Sequence, residues 1–331
     1  MMLMSGKPST SNLIKRIVII MKENHTFDNY FGTFPGADGV NLPRSPNPPK
    51  KDPNHTHAAW LIRDTTSVRE QFVEADIPKY FEFARKFTLC DSYFTDVAGP
   101  STPNHLMVVA ADSPVIDNPR NFTTPSFTLQ SSLPLSLEKA GRTWRGYGGF
   151  AMGYLSGINT KWKLKSDQFA VDAAAGNLAD VSWVWAPAQF DEHPPFGKGG
   201  GNVTVGMQWT ADQIAALVKG GLWPSSAIFI TWDDWGGWYD HVTPPNLETW
   251  KGNGANPAYN GTQFRLGSRV GCLVLSPYAK AGYISKTQHS HVSLIRFCEN
   301  AFGIKQMNAR DSASDGMSDC FDFTQQKLPP P

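Results

Sequence analysis

A chain of 331 residues with 40% hydrophobic content can bury a large core. Its 30 Lys plus Arg offset 29 Asp plus Glu, leaving a formal net charge of +1, which excludes a broad electrostatic footprint for nucleic acid or an anionic membrane. Any anionic substrate must be held by a local site, within what is expected to be one large α/β domain over 1–331 with inserted loops.

In chain order, RIVIIM at 16–21 is a short β-branched run suited to a strand buried on both faces of a parallel sheet. Its apolar part, Ile17 to Met21, is too short to span a bilayer or to form a signal-peptide core. No transmembrane or export segment is therefore expected, and the chain as given would stay in the cytoplasm. Residues 35–57, rich in Pro, Asn, Asp and Lys, read as an irregular surface excursion of the kind that often carries function. A helix is expected at 76–87, with Asp76 as cap and Pro78 in the first turn, leading into a strand FTLC that ends at Asp91. Ser101, Thr102 and Pro103 ahead of NHLMVVAA look like an N-cap, a first-turn proline and a helix.

Another helix is expected over 132–140, stopped by Gly141. The stretch 145–202, dense in Gly, Trp and Pro, reads as a second excursion covering the catalytic edge of a sheet. Thr210 and Gln213 at capping-box spacing predict a helix at 209–218. SAIFITW reads as a strand running into Asp233 and Asp234. RVGCLVLSP at 269–277 reads as another buried strand, and HVSLIRFCENAFG as a helix C-capped at Gly303. The alternation gives the expected fold class: α/β, a mainly parallel central sheet with helices on both faces. Cys90, Cys272, Cys298 and Cys320 are widely spaced without a CxxC pair and read as ordinary buried thiols.

In open α/β sheets, ligands sit beyond the carboxyl ends of strands. Here Lys22, Glu23, Asn24 and His25 follow one strand, Asp91 a second, and Asp233 and Asp234 a third. This oxygen-rich set suits Ca²⁺, Mg²⁺ or Mn²⁺, while eight histidines leave a mixed site for Zn²⁺ open. Adjacent Asp233 and Asp234 repel one another, and a cation beside them relieves that. Gly236 and Gly237 mark a tight turn that lets backbone approach a ligand closely. The Ser101 and Thr102 hydroxyls stand at a helix N-terminus that favours phosphate oxygens, so either is a candidate nucleophile, although a plain N-cap has the same position.

His193 in DEHPP, His241 in YDHVTPP and His291 in HSHVS sit in polar settings where imidazole can serve a leaving group. His25, His105 and His289 rank below them, and His55 or His57 could reach the site from the Pro-rich excursion. Trp232, Trp235 and Trp238, among eleven tryptophans, cluster about the acidic pair and could hold a choline head group.

The motifs IVIIMKENHTFDNYFGTFPG, FTLCDSYFTDVAGPSTPNHL, DEHPP, ITWDDWGGWYDHVTPP, RVGCLVLSPYAKAGY, HSHVSLIRFCE and FDF are spread over most of the chain. Together they resemble the bacterial phosphoesterase family of phosphocholine-preferring phospholipases C and respiratory-burst-inhibiting acid phosphatases. The resemblance implies a fold similar to alkaline phosphatases and sulfatases, and a divalent metal held by Glu23, Asn24, Asp233 and Asp234. It puts the nucleophile on Ser101, with Thr102 as neighbour, and the family's histidines on His55 and His193. Its late acidic motif continues to Asp240 and His241. The chain departs from the phospholipases at Ser290, His291, Val292 and Ser293, where they read Asp-His-Thr-Ser, and at His105, where they carry Arg. The implied activity is metal-dependent hydrolysis of a phosphodiester or phosphomonoester, with a phospholipid among the substrates. The rival class, a non-catalytic phospholipid binder on the same fold, has no need of the nucleophile.

Overall fold

RIVIIMK forms β1 (Arg16–Lys22), and every residue of it after Arg16 is buried. Such a strand has no solvated face, which its run of Ile, Val and Met can satisfy only in the middle of a covered sheet. The computed structural model describes residues 13–121, 123–195, 200–252 and 255–331. The other strands of the main sheet are β2 (Thr88–Phe94), β3 (Trp144–Tyr147), β4 (Lys163–Leu164), β5 (Val181–Trp185) and β6 (Ser226–Trp232), followed after a small hairpin by β9 (Arg269–Leu275), β10 (Tyr283–Ser285) and β11 (His289–Ser290). The hairpin pairs β7 (Glu248–Thr249) with β8 (Gln263–Arg265). The main sheet runs β10-β2-β9-β6-β1-β5-β3-β4, with β11 also beside β2. All pairings in it are parallel except those of β9, which runs against both β2 and β6. The fold is thus α/β with a mainly parallel sheet, and β6 and β9 are buried at every residue, so both sheet faces are covered.

The helices that matter for the site are α1 (Phe27–Phe31), α2 (Pro78–Lys86), α3 (Ser101–Ala110), α4 (Leu133–Lys139), α5 (Gln168–Ala174), α6 (Val203–Lys219) and α7 (His291–Phe302). Helix α3 packs on α7, and α2 on α6. One continuous apolar cluster links β1, β2, β5, β6, β9 and these helices. No described helix is long and apolar enough to cross a membrane.

Several local expectations give way to tertiary contacts. The stretch 145–202 is no mere excursion, because it supplies β4 and β5, and β5 lies directly against β1. Helix α6 starts seven residues before Thr210, capped by the Asn202 side chain on the Val205 amide. Thr210 is buried inside it, bonded back to the Gly206 carbonyl at 3.1 Å, so its spacing to Gln213 only mimics a capping box. Asp76 does not cap α2 either. Its carboxylate takes the Val73 amide and Arg44 instead, while Pro78 does occupy the first turn. The strand that begins FTLC runs past Asp91 to Phe94, and Asp91 pairs with Lys286 and the Asp38 amide, away from the other carboxylates.

Candidate active site

In the β1–β6 ladder Lys22 stands opposite Trp232, so the two chains leave adjacent strands at the same level. Glu23 and Asn24 therefore emerge beside Asp233 and Asp234. The Asp233 amide extends the ladder to the Lys22 carbonyl at 2.9 Å, and the Asn24 amide donates to Asp233 Oδ1 at 2.9 Å. Asn24 is left-handed at φ 62°, a conformation Asn tolerates better than most residues. Gly236, at φ 58°, closes the turn: a Cβ there would meet the Asn24 carbonyl oxygen at 2.2 Å. The two glycines expected to approach a ligand thus pack against Asn24 and, from Gly237, against Pro53. The Gly236 amide holds Asp234 Oδ1 at 2.6 Å.

Helix α3 brings two side chains to this edge. Ser101 is its first residue, not its cap, a place taken by Pro100. Its hydroxyl is therefore free to donate to Asp234 Oδ2, at 3.0 Å. Thr102 next to it is buried, and its Oγ1 has no hydrogen-bond partner. The helix end offers less to an anion than a bare N-terminus, since the Thr102 amide is taken by Asn118 Oδ1 and Pro103 has no N–H. One turn on, buried His105 puts Nε2 3.1 Å from Asp233 Oδ2 and 3.3 Å from Glu23 Oε1, stacked under Phe150 at 4.8 Å between ring centroids. Sequence reasoning ranked His105 low. Its spacing of four from Ser101, which puts both on one helix face, was the signal for it.

The charges are strongly interdependent. Burial disfavours the His105 imidazolium, but Glu23 and Asp233 outweigh it and push this histidine up to about 10. Burial also opposes ionisation of Asp233, yet His105 and the Asn24 amide hold it below the usual carboxylate range. Glu23 is pushed up to about 8, by burial first and then by Asp233. Asp234 is driven well above its ordinary value by the same two causes. Asn24 Oδ1 is buried without a partner, which leaves an oxygen donor free among three carboxylates. Ligand atoms of Glu23, His105 and Asp233 lie within 4.8 Å of one another. This donor set fits a divalent cation, and the raised carboxylates are what such a charge would relieve.

His55 and His193 come together, ring centroids 5.8 Å apart, with Asp52 close enough for a shared cluster. His55 Nε2 reaches Asn24 Nδ2 at 3.4 Å, which joins this pair to the carboxylate edge. The other histidines go elsewhere. His57 is tied to the Ala98 carbonyl and Thr262, His25 to Asn29 and the Glu192 carbonyl. His241 and Asp240 join Asp28 and Arg269 in a separate network, so this continuation of the late acidic motif does not reach the site. His291 sits beneath it, donating from Nε2 to the Asp233 carbonyl at 2.8 Å. In DEHPP the second residue is structural: buried Glu192 accepts from Tyr30 at 2.8 Å, Tyr80 at 2.6 Å and Trp232 at 2.9 Å, and pairs with buried Lys22 at 3.2 Å. Trp232, Trp235 and Trp238 are at most 2% exposed, so they form no open choline cage. Their indoles serve Glu192, the His55 carbonyl and the stack on His25.

Comparison with known proteins bears on the family and the fold. The chain is 26% identical to the non-hemolytic phospholipase C of Pseudomonas aeruginosa, over 94% of its own length and 57% of that protein's. It is also 26% identical to phospholipase C B of Mycobacterium tuberculosis, over 94% of the chain and 78% of the relative. The chain therefore spans little more than half the length of the Pseudomonas relative. Among solved structures, a sulfatase from Pseudoalteromonas sp. superposes with a TM-score of 0.53 at 12% identity, covering 97% of this chain and 74% of that one. A protein in the alkaline phosphatase superfamily from Vibrio parahaemolyticus does so with a TM-score of 0.52 at 11% identity, covering 94% and 72%. These two share the fold. The phosphoesterase family model matches residues 14–57 and 50–305, and the chain belongs to that family.

Proposed function

We propose that the protein hydrolyses phosphate esters, with Ser101 as nucleophile and phosphodiesters as the preferred class. The observation that carries this reading is the Ser101 hydroxyl, released from helix capping and hydrogen-bonded at 3.0 Å to Asp234. A divalent cation held by Glu23, Asn24, Asp233 and Asp234, with His105 alongside, would supply positive charge to the Ser101 oxygen and to the phosphoryl oxygens. Asp234 orients the Ser101 hydroxyl and takes up its hydrogen-bonded proton as the oxygen attacks phosphorus. The P–O bond to the leaving alcohol breaks, a phosphoserine forms, and the leaving oxygen collects a proton from the His55–His193 pair. Water then attacks the phosphoserine and gives a proton to the histidine pair, while the Ser101 oxygen leaves and takes its proton back from Asp234. Asp233 and Asp234 are fully buried, which keeps bulk water off that pair.

The diester preference rests on charge. Among the described residues, no Arg or Lys hydrogen-bonds or ion-pairs with Glu23, Asn24, Ser101, Asp233 or Asp234. A monoester dianion would bring one more negative charge to this acidic edge than a diester monoanion. The relatives named phospholipase C support the same class. The test compares kcat/KM on bis(nitrophenyl) phosphate, nitrophenyl phosphate and a short-chain phosphatidylcholine. The diesters should be cleaved faster. Faster turnover of the monoester would overturn the preference, and phospholipid binding without turnover of any ester would replace the enzyme by a binding protein.

A further inference from the structure

We propose that Cys90, His289, Asp319 and Cys320 form a structural zinc site, sharing no residue with the carboxylate edge. Cys90 lies on β2, His289 on β11, and Asp319 and Cys320 in the short turn Ser318–Cys320, the two cysteines standing 230 positions apart in sequence. No sequence spacing announces such a set, because the pairing of β11 with β2 and the return of the C-terminal turn together assemble it.

The distances carry the inference. Zinc bonds of about 2.3 Å to sulfur and about 2.1 Å to nitrogen and oxygen give a tetrahedron with edges of about 3.8 Å for S···S, 3.6 Å for S···N and S···O, and 3.4 Å for N···O. Cys90 Sγ and Cys320 Sγ are 3.6 Å apart, and Cys320 Sγ is 3.8 Å from His289 Nε2. Asp319 Oδ1 lies 3.7 Å from Cys320 Sγ and 3.2 Å from His289 Nε2. These four edges, all at Cys320 or His289, are each within about 0.2 Å of the tetrahedral ones, and the Cys90 thiol would swing toward Asp319 to close the set. Ligand atoms of Cys90, His289 and Cys320 all lie within 4.8 Å of one another.

The surroundings are those of a metal site. His289 Nδ1 lies 2.8 Å from Asp315 Oδ2, close but off the line of a hydrogen bond, as an ion-pair contact. A carboxylate behind the distal ring nitrogen is the usual support of a zinc-bound imidazole. Ser285 donates to Asp319 Oδ2 and so fixes the carboxylate whose other oxygen faces the Cys320 sulfur. Ser285 Oγ also lies 3.0 Å from His289 Nε2, a contact that zinc would replace. Cys90, Cys320 and His289 are at most 1% exposed. A cleft lined by Arg265, Gln288, Ser290, Arg310 and Asp315 reaches His289 from solvent. Two sulfurs, one nitrogen and one oxygen select zinc over magnesium or calcium, and four protein ligands leave no open position for catalysis. Binding releases the two thiol protons and the His289 Nε2 proton to water and clamps the C-terminal turn to β2 and β11.

Cobalt(II) tests this on the full chain, stripped by chelator and kept reduced, because only thiolate ligands give a near-ultraviolet charge-transfer band. The band should appear in the wild type and in Asp233→Asn, saturate at one equivalent, bleach on adding Zn²⁺, survive in Cys298→Ser, and vanish in Cys320→Ser. Should Cys320→Ser not fold, alkylation of the wild type decides: one equivalent of zinc should protect Cys90 and Cys320 from iodoacetamide. Absence of the band in reduced wild type, its persistence in folded Cys320→Ser, or alkylation indifferent to zinc overturns the proposal.

Discussion

Ser101 and His105 stand one turn apart on α3 and address the two adjacent carboxylates separately, Ser101 Oγ at 3.0 Å from Asp234 Oδ2 and His105 Nε2 at 3.1 Å from Asp233 Oδ2. A single helix face thus registers nucleophile and imidazole against the end of β6. Because α3 packs on α7, and His291 of α7 holds the Asp233 carbonyl, the helix and the strand end are fixed to one another from below.

Ser101→Ala should fold like the wild type, since the hydroxyl caps nothing, yet lose turnover by roughly 10⁴-fold or more, as removal of a covalent nucleophile does. Thr102→Val should do the opposite. Its Oγ1 is buried without a partner, so replacing it should be neutral or stabilise by about 1 kcal/mol, with turnover kept. Urea melts and kcat/KM on one diester check both. Loss of turnover in the valine variant alone would move the nucleophile to Thr102.

The second prediction is a pH dependence of the cation-free protein. Glu23 binds its proton more tightly folded than unfolded, being pushed up to about 8 from an ordinary value near 4.3. A group raised in this way adds stability that is full in acid and is lost as pH rises from about 4.3 through about 8. His105, raised to about 10, extends the same downward slope above its ordinary value of about 6.5. Tm in chelator should therefore fall across this range, and Glu23→Gln should flatten the lower part. Added Mn²⁺ or Mg²⁺ should restore Tm most at the alkaline end. A flat profile in chelator would contradict the linkage.

The parts of this site that could be read in the sequence are those fixed by strand ends. RIVIIM and SAIFITW are apolar runs broken abruptly by Glu23-Asn24 and Asp233-Asp234, and side-by-side pairing of the two strands was enough to bring these together. β5 was hidden because VSWVW is five residues long and set among Gly, Trp and Pro, which as local signals spell a loop. The start of α6 was misread because Thr210 finds its partner inside the helix. Glu192 and the cysteine-histidine cluster depend on side chains brought from distant segments, and no local pattern encodes that.

Glu192 supports the site through the fold. It balances buried Lys22, whose own charge burial disfavours, and accepts three further hydrogen bonds. Glu192→Ala strands that ammonium, and should cost roughly 3–5 kcal/mol in denaturant unfolding. A loss under about 1 kcal/mol would show that water or another group serves Lys22.

The last prediction separates His193 from His55. His55 Nδ1 lies 2.8 Å from the Pro53 carbonyl and His193 Nδ1 2.8 Å from the Pro194 carbonyl. A carbonyl only accepts, so each Nδ1 carries a hydrogen, and what remains to decide is the state of each Nε2. At His55 it faces the Asn24 amide nitrogen, a donor, and is occupied in accepting from it. His193 has no such donor against its Nε2 among the described contacts, so that nitrogen is open to hold and pass a proton. His193 is then the group able to protonate a leaving oxygen. An alkoxide needs that proton and a nitrophenolate does not, so His193→Ala should slow an alkyl diester by about 10²- to 10⁴-fold and a nitrophenyl diester far less. His55→Ala should slow the two substrates alike, by loosening Asn24. Equal losses on both substrates in His193→Ala would remove this histidine from the proton transfer and leave Asp52 or solvent to supply it.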